Sequence, residues 1–454
     1  MQRQTFREDS LARFLPRALK LGFVLFCLGA AALFYARTTP EPLVTEIKND
    51  PFRYSYVVNT HNLGDPEYVE IYIILQQGEA DMEGPEGLLH YVEHLSITNA
   101  MKKSGSKINP DSNAWTNSRS VGYWISSPKA KFPENLKKLM GVFNSIDLSE
   151  DLALKERNVI LREYDVWLAN RPETPIEETL DRYLYSGNGL SRSVGGKPAE
   201  INRFSLSAAK QLHASTHKLG NAALVVVGEI STKEVEATLA RLENVAEKTT
   251  QQSSFVLGEQ RTEIVRFPNE PGLPKLIWKR AIELEKAVPY EVLNLQCKLL
   301  EDILRADLPG SLAKPLHFDS FVAQSFEVSV RVVNERHIEL KFSAQPSAGK
   351  RLADLLSEYE KVLSEIASTG IPADTFERVS KRSFKDLPDE NDSRRLSEWA
   401  KYYVLDRVSD QRRPLALDEI RKIVGNIEPA HVNSLLSLVE ARGRTIIALI
   451  GKDT

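Results

Sequence analysis

Ala222-Ala223-Leu224-Val225-Val226-Val227-Gly228 is a run of small and β-branched apolar residues that ends in glycine. It suits a strand buried on both faces, which carries a continuous apolar stretch rather than an alternating one. The chain closes on an echo of it, Arg444-Thr445-Ile446-Ile447-Ala448-Leu449-Ile450-Gly451. Each run ends a segment of roughly 200 residues, so the pair points to an internal duplication.

Working outward, residues 54–58 and 69–75 read as strands. Helical spacing takes over across 84–100, and 122–126 returns to strand. Helices are expected over 133–146 and 149–170, the second with Ser149 as N-cap and Pro172 as its stop. The polar stretch 245–257 (VAEKTTQQSSFVL) marks a boundary. Beyond it the same order returns loosely: a strand near 275–279, a helix near 290–305, strands at 326–333 and 337–342, and helices at 352–368 and 372–385. The expected fold class is α+β: two homologous domains, 45–245 and 258–454, each a mixed sheet flanked by helices.

The N-terminus is a separate object. Residues 21–36 (LGFVLFCLGAAALFYA) form an uncharged apolar run of 16 residues behind the basic segment 1–20, with Arg3, Arg7, Arg13, Arg17 and Lys20. A spanning helix needs about 20 residues, a length that Leu19 and snorkelling flanks can supply. The basic flank would stay cytoplasmic and the remainder would be exported, to the periplasmic side in a bacterium. The rival reading is a cleaved signal peptide with a small-residue site at Ala30 and Ala32.

Over the 454 residues, 42% are apolar and 27% charged, as in ordinary globular chains. With 59 Lys+Arg against 62 Asp+Glu, the net charge of −3 offers no field for nucleic acid. Cys27 and Cys297 are the only cysteines, which excludes a disulfide framework and any Cys-rich metal site. A metal must therefore be held by histidine and carboxylate.

His90-Tyr91-Val92-Glu93-His94 offers such a set. Positions i and i+4 share a helix face, so His90 and His94 can reach one ion, with Glu93 close to the same face. This His-x-x-Glu-His order is an inverted zinc-peptidase signature. Leu88, Leu89, Val92 and Leu95 back the helix with an apolar face. A catalytic zinc takes a third protein ligand and keeps a position for water. The candidates are Glu156 and Glu163, two helical turns apart on one face: one to ligate, the other to hold a ligand histidine.

These residues resemble the pitrilysin/insulinase family of zinc metallopeptidases, whose members include single-length subunits of the mitochondrial-processing-peptidase type and the core proteins of the bc1 complex. The resemblance rests on Glu79 with 87–95, on Asn113-Ala114-Trp115-Thr116 with Tyr123, on Glu156-Arg157-Asn158-Val159-Ile160-Leu161-Arg162-Glu163, and on 190–198 with Asn221 and 225–228. It is strong over about 45–235 and architectural beyond, and it makes 45–245 the metal-binding peptidase domain and 258–454 a metal-less one. It implies one Zn²⁺ on His90, His94 and Glu163, with Glu156 supporting a ligand histidine. It also implies Glu93 as general base on a zinc-bound water, and a peptide lying extended against Asn113 and Ala114 inside a dimeric chamber. The family supplies an Arg and, seven residues later, a Tyr from its C-terminal half; His317 and Gln324 stand in those places. A homologous partner subunit carrying the pair would complete the site in a heterodimer, whereas a homodimer would lack it. A weakly active or non-catalytic scaffold subunit is the alternative. His213 and His217, also i and i+4 but with no acidic residue between them, read as structural.

Overall fold

The computed structural model describes residues 42–451, apart from 49, 61–64, 104–111, 242–254, 256, 269–273, 390–391 and 442. The apolar run 21–36 and most of the boundary stretch 245–257 lie outside the described residues. Among the described residues, no helix is long and apolar enough to cross a membrane.

The first sheet contains β1 (Val44–Ile47), β2 (Tyr54–Asn59), β3 (Tyr68–Leu75), β4 (Ser112–Thr116), β5 (Val121–Pro128) and β6 (Ala222–Gly228), in the order β1-β2-β6-β3-β5-β4. The second contains β7 (Thr262–Phe267), β8 (Lys275–Glu283), β9 (Ala323–Asn334), β10 (His337–Pro346) and β11 (Arg444–Ile450), in the order β7-β11-β8-β10-β9. Without β1 the two orders are the same, and so is the sense of every pairing. β2 runs parallel to β6 as β7 does to β11, and all other neighbours are antiparallel. The two mixed α+β layers thus repeat one topology. Every residue of β6 and of β11 is buried. That burial is why both runs are continuously apolar.

Helices α1 (Leu88–Lys103), α2 (Glu150–Asn170), α3 (Thr174–Leu184) and α4 (Ser393–Ser409) set up the site and join the halves. α4, from the second half, lies against β2, β3 and β6 of the first. Gln76 donates to its Val408 carbonyl at 2.9 Å, and Lys401 pairs with Glu70 at 2.7 Å. In return α3 lies on the second sheet, where Ile176, Leu180 and Leu184 pack with Ile277, Ala281, Ile446 and Ala448. On the same face Glu173 pairs with Lys275 at 2.6 Å, Glu177 with Lys341 at 2.5 Å, and Asp181 with Lys279. Each sheet thus carries a helix from the other half, and β6 and β11 are buried on both faces.

The helix expected over 133–146 is shorter. It runs over Phe132–Leu139 and tightens into a 3-10 turn at Met140–Phe143. Gly141 lies against Ala100 of α1 there, where an added Cβ would sit 3.0 Å from the Ala100 Cβ. Ser149 caps α2, its hydroxyl accepting from the Leu152 N–H at 3.3 Å, and the helix ends before Pro172.

Candidate active site

α1 buries Leu88, Leu89, Tyr91, Val92 and Leu95, which leaves His90 and His94 side by side toward α2 with ring centroids 4.9 Å apart. The start of α1 is fixed by its lead-in loop. Gly87, at φ +80°, lets the chain pass the Gly196 backbone, where a Cβ would fall 2.6 Å from a backbone nitrogen. Its N–H donates to the buried Glu79 carboxylate at 3.3 Å. Arg192 pairs with the same carboxylate at 2.7 Å and donates to the Gly84 and Pro85 carbonyls. Burial pushes Glu79 up to about 7 against the pull of Arg192.

α2 brings Glu156 and Glu163 to the two histidines. Glu163 Oε2 stands 3.5 Å from His90 Nε2 and 3.4 Å from His94 Nε2. On the other side of the ring, His94 Nδ1 meets Glu156 Oε2 at 3.4 Å, and Thr98 donates to Glu156 Oε1 at 3.3 Å. Glu93 Oε2 is 4.0 Å from His90 Nε2 and accepts from the Thr116 hydroxyl at 3.0 Å. His90 Nδ1 is buried, with no hydrogen-bond partner among the described residues.

This donor set fits zinc. Zinc bonds of about 2.1 Å in a tetrahedral shell put neighbouring ligand atoms about 3.4 Å apart. The Glu163 oxygen keeps that spacing from both Nε2 atoms. Glu156 engages the opposite ring nitrogen of His94, as an outer partner of a metal-binding histidine does. Glu93 also lies close, since one ligand atom each of His90, Glu93 and His94 falls within 4.8 Å of the others. Its carboxylate, however, is buried at 4% residue exposure and already held by Thr116.

The electrostatics are those of a crowded cluster. Burial and the neighbouring His94 lower His90 to about 4. Burial works against the charge on His94 as well, but Glu156, Glu163 and Glu93 outweigh it and raise its pKa to about 10. Burial pushes Glu93 up to about 7. The hydrogen bond with His94 holds Glu163 below its usual range.

Among the described residues β4 is an edge strand of the first sheet. Asn113 is exposed, and its Oδ1 accepts from the Ala114 N–H at 2.9 Å, so the expected substrate edge is partly covered by its own asparagine. A cavity of about 810 Å³ opens beside the cluster, lined by His90, Glu163, Thr116, Tyr164, Trp167 and Glu178 among others.

No family model matches the chain. A curated relative, the zinc protease PqqE of Helicobacter pylori, is 23% identical over 175 residues, which is 37% of this chain and 39% of the relative. The periplasmic protease PqqL of Escherichia coli superposes with a TM-score of 0.72 at 13% identity, over 91% of this chain and 48% of that one. This chain thus spans about half the length of PqqL. A peptidase M16 inactive domain from Pseudomonas fluorescens matches with a TM-score of 0.68 at 13% identity, over 90% of this chain and 98% of that one. The chain thus shares the fold of these M16 peptidase structures.

Among the described residues, neither His317 nor Gln324 is among the groups that contact the cluster. His317 Nδ1 bonds the Ala323 carbonyl at 3.0 Å, and Gln324 is exposed on β9, the outer strand of the second sheet. Neither lines the large cavity. His213 and His217 stack at 4.3 Å; His213 Nε2 bonds the Val142 carbonyl at 2.8 Å and His217 Nε2 the Tyr123 hydroxyl at 2.7 Å. Both histidines and Tyr123 are buried, so Tyr123 supports the sheet from within. Three features went unread in the sequence: the Thr116 contact to Glu93, the Arg192 brace on the α1 lead-in, and the aromatic wall of Tyr164 and Trp167. The i, i+3 spacing of the last two along α2 was the available signal.

Proposed function

We propose that this chain is a zinc-dependent endopeptidase of the M16 type that cleaves extended peptides, with His90, His94 and Glu163 as the metal ligands and Glu93 as the general base. The observation that carries the reading is the spacing of the Glu163 oxygen, 3.5 and 3.4 Å from the two Nε2 atoms. The protease relatives support the reaction class. A zinc ion held there would supply Lewis acidity, polarising the scissile carbonyl and lowering the pKa of a water to about 7.

The protein's own groups do the rest. Glu156 keeps His94 oriented with Nε2 toward the cluster. Glu93, carried by burial to about 7, can take a proton from the attacking water and return it to the leaving amine. The β4 edge would bind the substrate main chain as an added strand once the Asn113 side chain releases the Ala114 N–H. Such main-chain binding accepts many sequences. Because His317 and Gln324 lie away from the cavity, we place the missing Arg and Tyr on a homologous partner subunit. The match to half of a longer protease supports such a pairing of two units. PqqL is a periplasmic protease, which supports an exported peptidase region here.

The competing reading is a scaffold subunit, favoured by the position of His317 and Gln324 and by the likeness to an inactive M16 domain. Purified protein from residue 42 onward separates the two. The peptidase reading expects about one zinc per chain, with cleavage of a quenched peptide that a chelator abolishes and zinc restores. A scaffold would carry no zinc and show no cleavage.

A pH consequence follows from His94. With its pKa raised to about 10, His94 is protonated at neutral pH in the metal-free chain. A zinc ligand must be the neutral imidazole, so loading displaces that proton. Zinc affinity should therefore rise with pH between 7 and about 10, by up to about tenfold per unit. Calorimetry in two buffers of different ionisation enthalpy should show at least one proton released per zinc at pH 7. Release of none would show that His94 is neutral before loading.

A further inference from the structure

We infer that Thr116 is a positioning residue for the Glu93 carboxylate and ties the substrate edge to the base; this rests on the peptidase reading above. Glu93 is buried, and no lysine or arginine pairs with it among the described residues. The hydrogen bond recorded to its carboxylate comes from the Thr116 hydroxyl, at 3.0 Å to Oε2, the oxygen that lies 4.0 Å from His90 Nε2. A carboxylate without that donor is free to turn about its last torsion, which is broad and roughly two-fold.

Thr116 can hold it because its own place is fixed on every side. It is the last residue of β4, paired with Val121. The next residue, Asn117, closes the hairpin, its Oδ1 accepting from the Arg119 and Ser120 N–H groups at 2.7 Å each. The loop leading into α1 is sewn to the same hairpin, Glu79 N–H to the Asn117 carbonyl at 3.0 Å and Ala80 N–H to the Ser118 carbonyl at 2.9 Å. From the second half, Gln411 donates to the Arg119 carbonyl at 2.6 Å, and the Arg119 guanidinium donates to the Val333 carbonyl. Strand edge, hairpin and metal helix therefore form one unit. Asn113 and Ala114 lie three and two residues before Thr116 on the same strand, so a peptide aligned by them runs toward the base that Thr116 holds. Thr116 also lines the cavity shared by His90 and Glu163.

Thr116→Val keeps the shape and removes the donor. A hydrogen bond to a charged group is worth about 10- to 100-fold, and the loss should fall on kcat, with KM changed less than about twofold. Zinc content should stay at the wild-type value, and Thr116→Ser, which restores a hydroxyl, should recover kcat to within about threefold. Glu93→Gln serves as the control: if it retains full activity, the base assignment fails independently of Thr116. With that control inactive, an unchanged kcat in Thr116→Val overturns the inference. So does a loss that falls on zinc content or KM, or one that Thr116→Ser does not rescue.

Discussion

Glu93→Gln should retain zinc and lose peptide hydrolysis by about 10²–10⁴-fold, the range that a positioned general base supplies. The substitution keeps volume and hydrogen-bonding capacity but cannot accept the proton. Glu93 stands 4.0 Å from His90 Nε2, whereas Glu163 lies 3.5 and 3.4 Å from the two histidines, so the ligand set survives the change. The buried position should tolerate the amide well, since a neutral group relieves the penalty that pushes the carboxylate up to about 7. Steady-state kinetics on a quenched peptide, with metal analysis of the same samples, measures both halves of the expectation. Turnover at the wild-type rate would remove Glu93 from the chemistry.

The second large effect is on the metal itself. His94→Ala should purify without zinc, and Glu163→Gln should hold it weakly. Zinc sites worth about 10–16 kcal/mol over four ligands give roughly 2.5–4 kcal/mol per ligand, or about 10²–10³ in affinity. His94→Ala also strands Glu156, whose Oε2 loses its partner at 3.4 Å. Glu163 is half exposed, so Glu163→Gln leaves little buried charge unpaired and should fold normally. Stoichiometric zinc in His94→Ala would reject the ligand assignment.

Much of this site was legible because its first element is local. The i, i+4 spacing of His90 and His94 and the apolar backing of Leu88, Leu89, Val92 and Leu95 are properties of one helix. The choice between Glu156 and Glu163 was not local: spacing put both on one face, and the assignment came from the resemblance; Glu163 lies beside both Nε2 atoms and Glu156 beside His94 Nδ1. Thr116 was quoted in a motif without a role, because its contact to Glu93 exists only once β4 has packed on α1. The duplication was readable from 222–228 and 444–451 because both strands are covered on both faces. The exchange of α3 and α4 between halves was not. α4 carries no continuous apolar stripe; its interface with the first half is partly polar, with Lys401 pairing with Glu70 at 2.7 Å and Gln76 donating to the Val408 carbonyl at 2.9 Å. A polar helix face of this kind gives no period to read. β4 escaped a reading from pattern alone for a similar reason: Ser-Asn-Ala-Trp-Thr is short and half polar, and it is a strand because β5 pairs with it, Trp115 lying over Gly122.

Glu163 as third metal ligand and Glu93 as base is the assignment proposed, although both carboxylates stand beside the same two histidines. Competition of a zinc-selective chelator dye against the wild-type chain, Glu93→Gln and Glu163→Gln decides it in one titration series. The account predicts wild-type-like affinity for Glu93→Gln and a loss of about 10²-fold or more for Glu163→Gln. The reverse order, with Glu93→Gln releasing zinc and Glu163→Gln keeping it, would contradict the assignment.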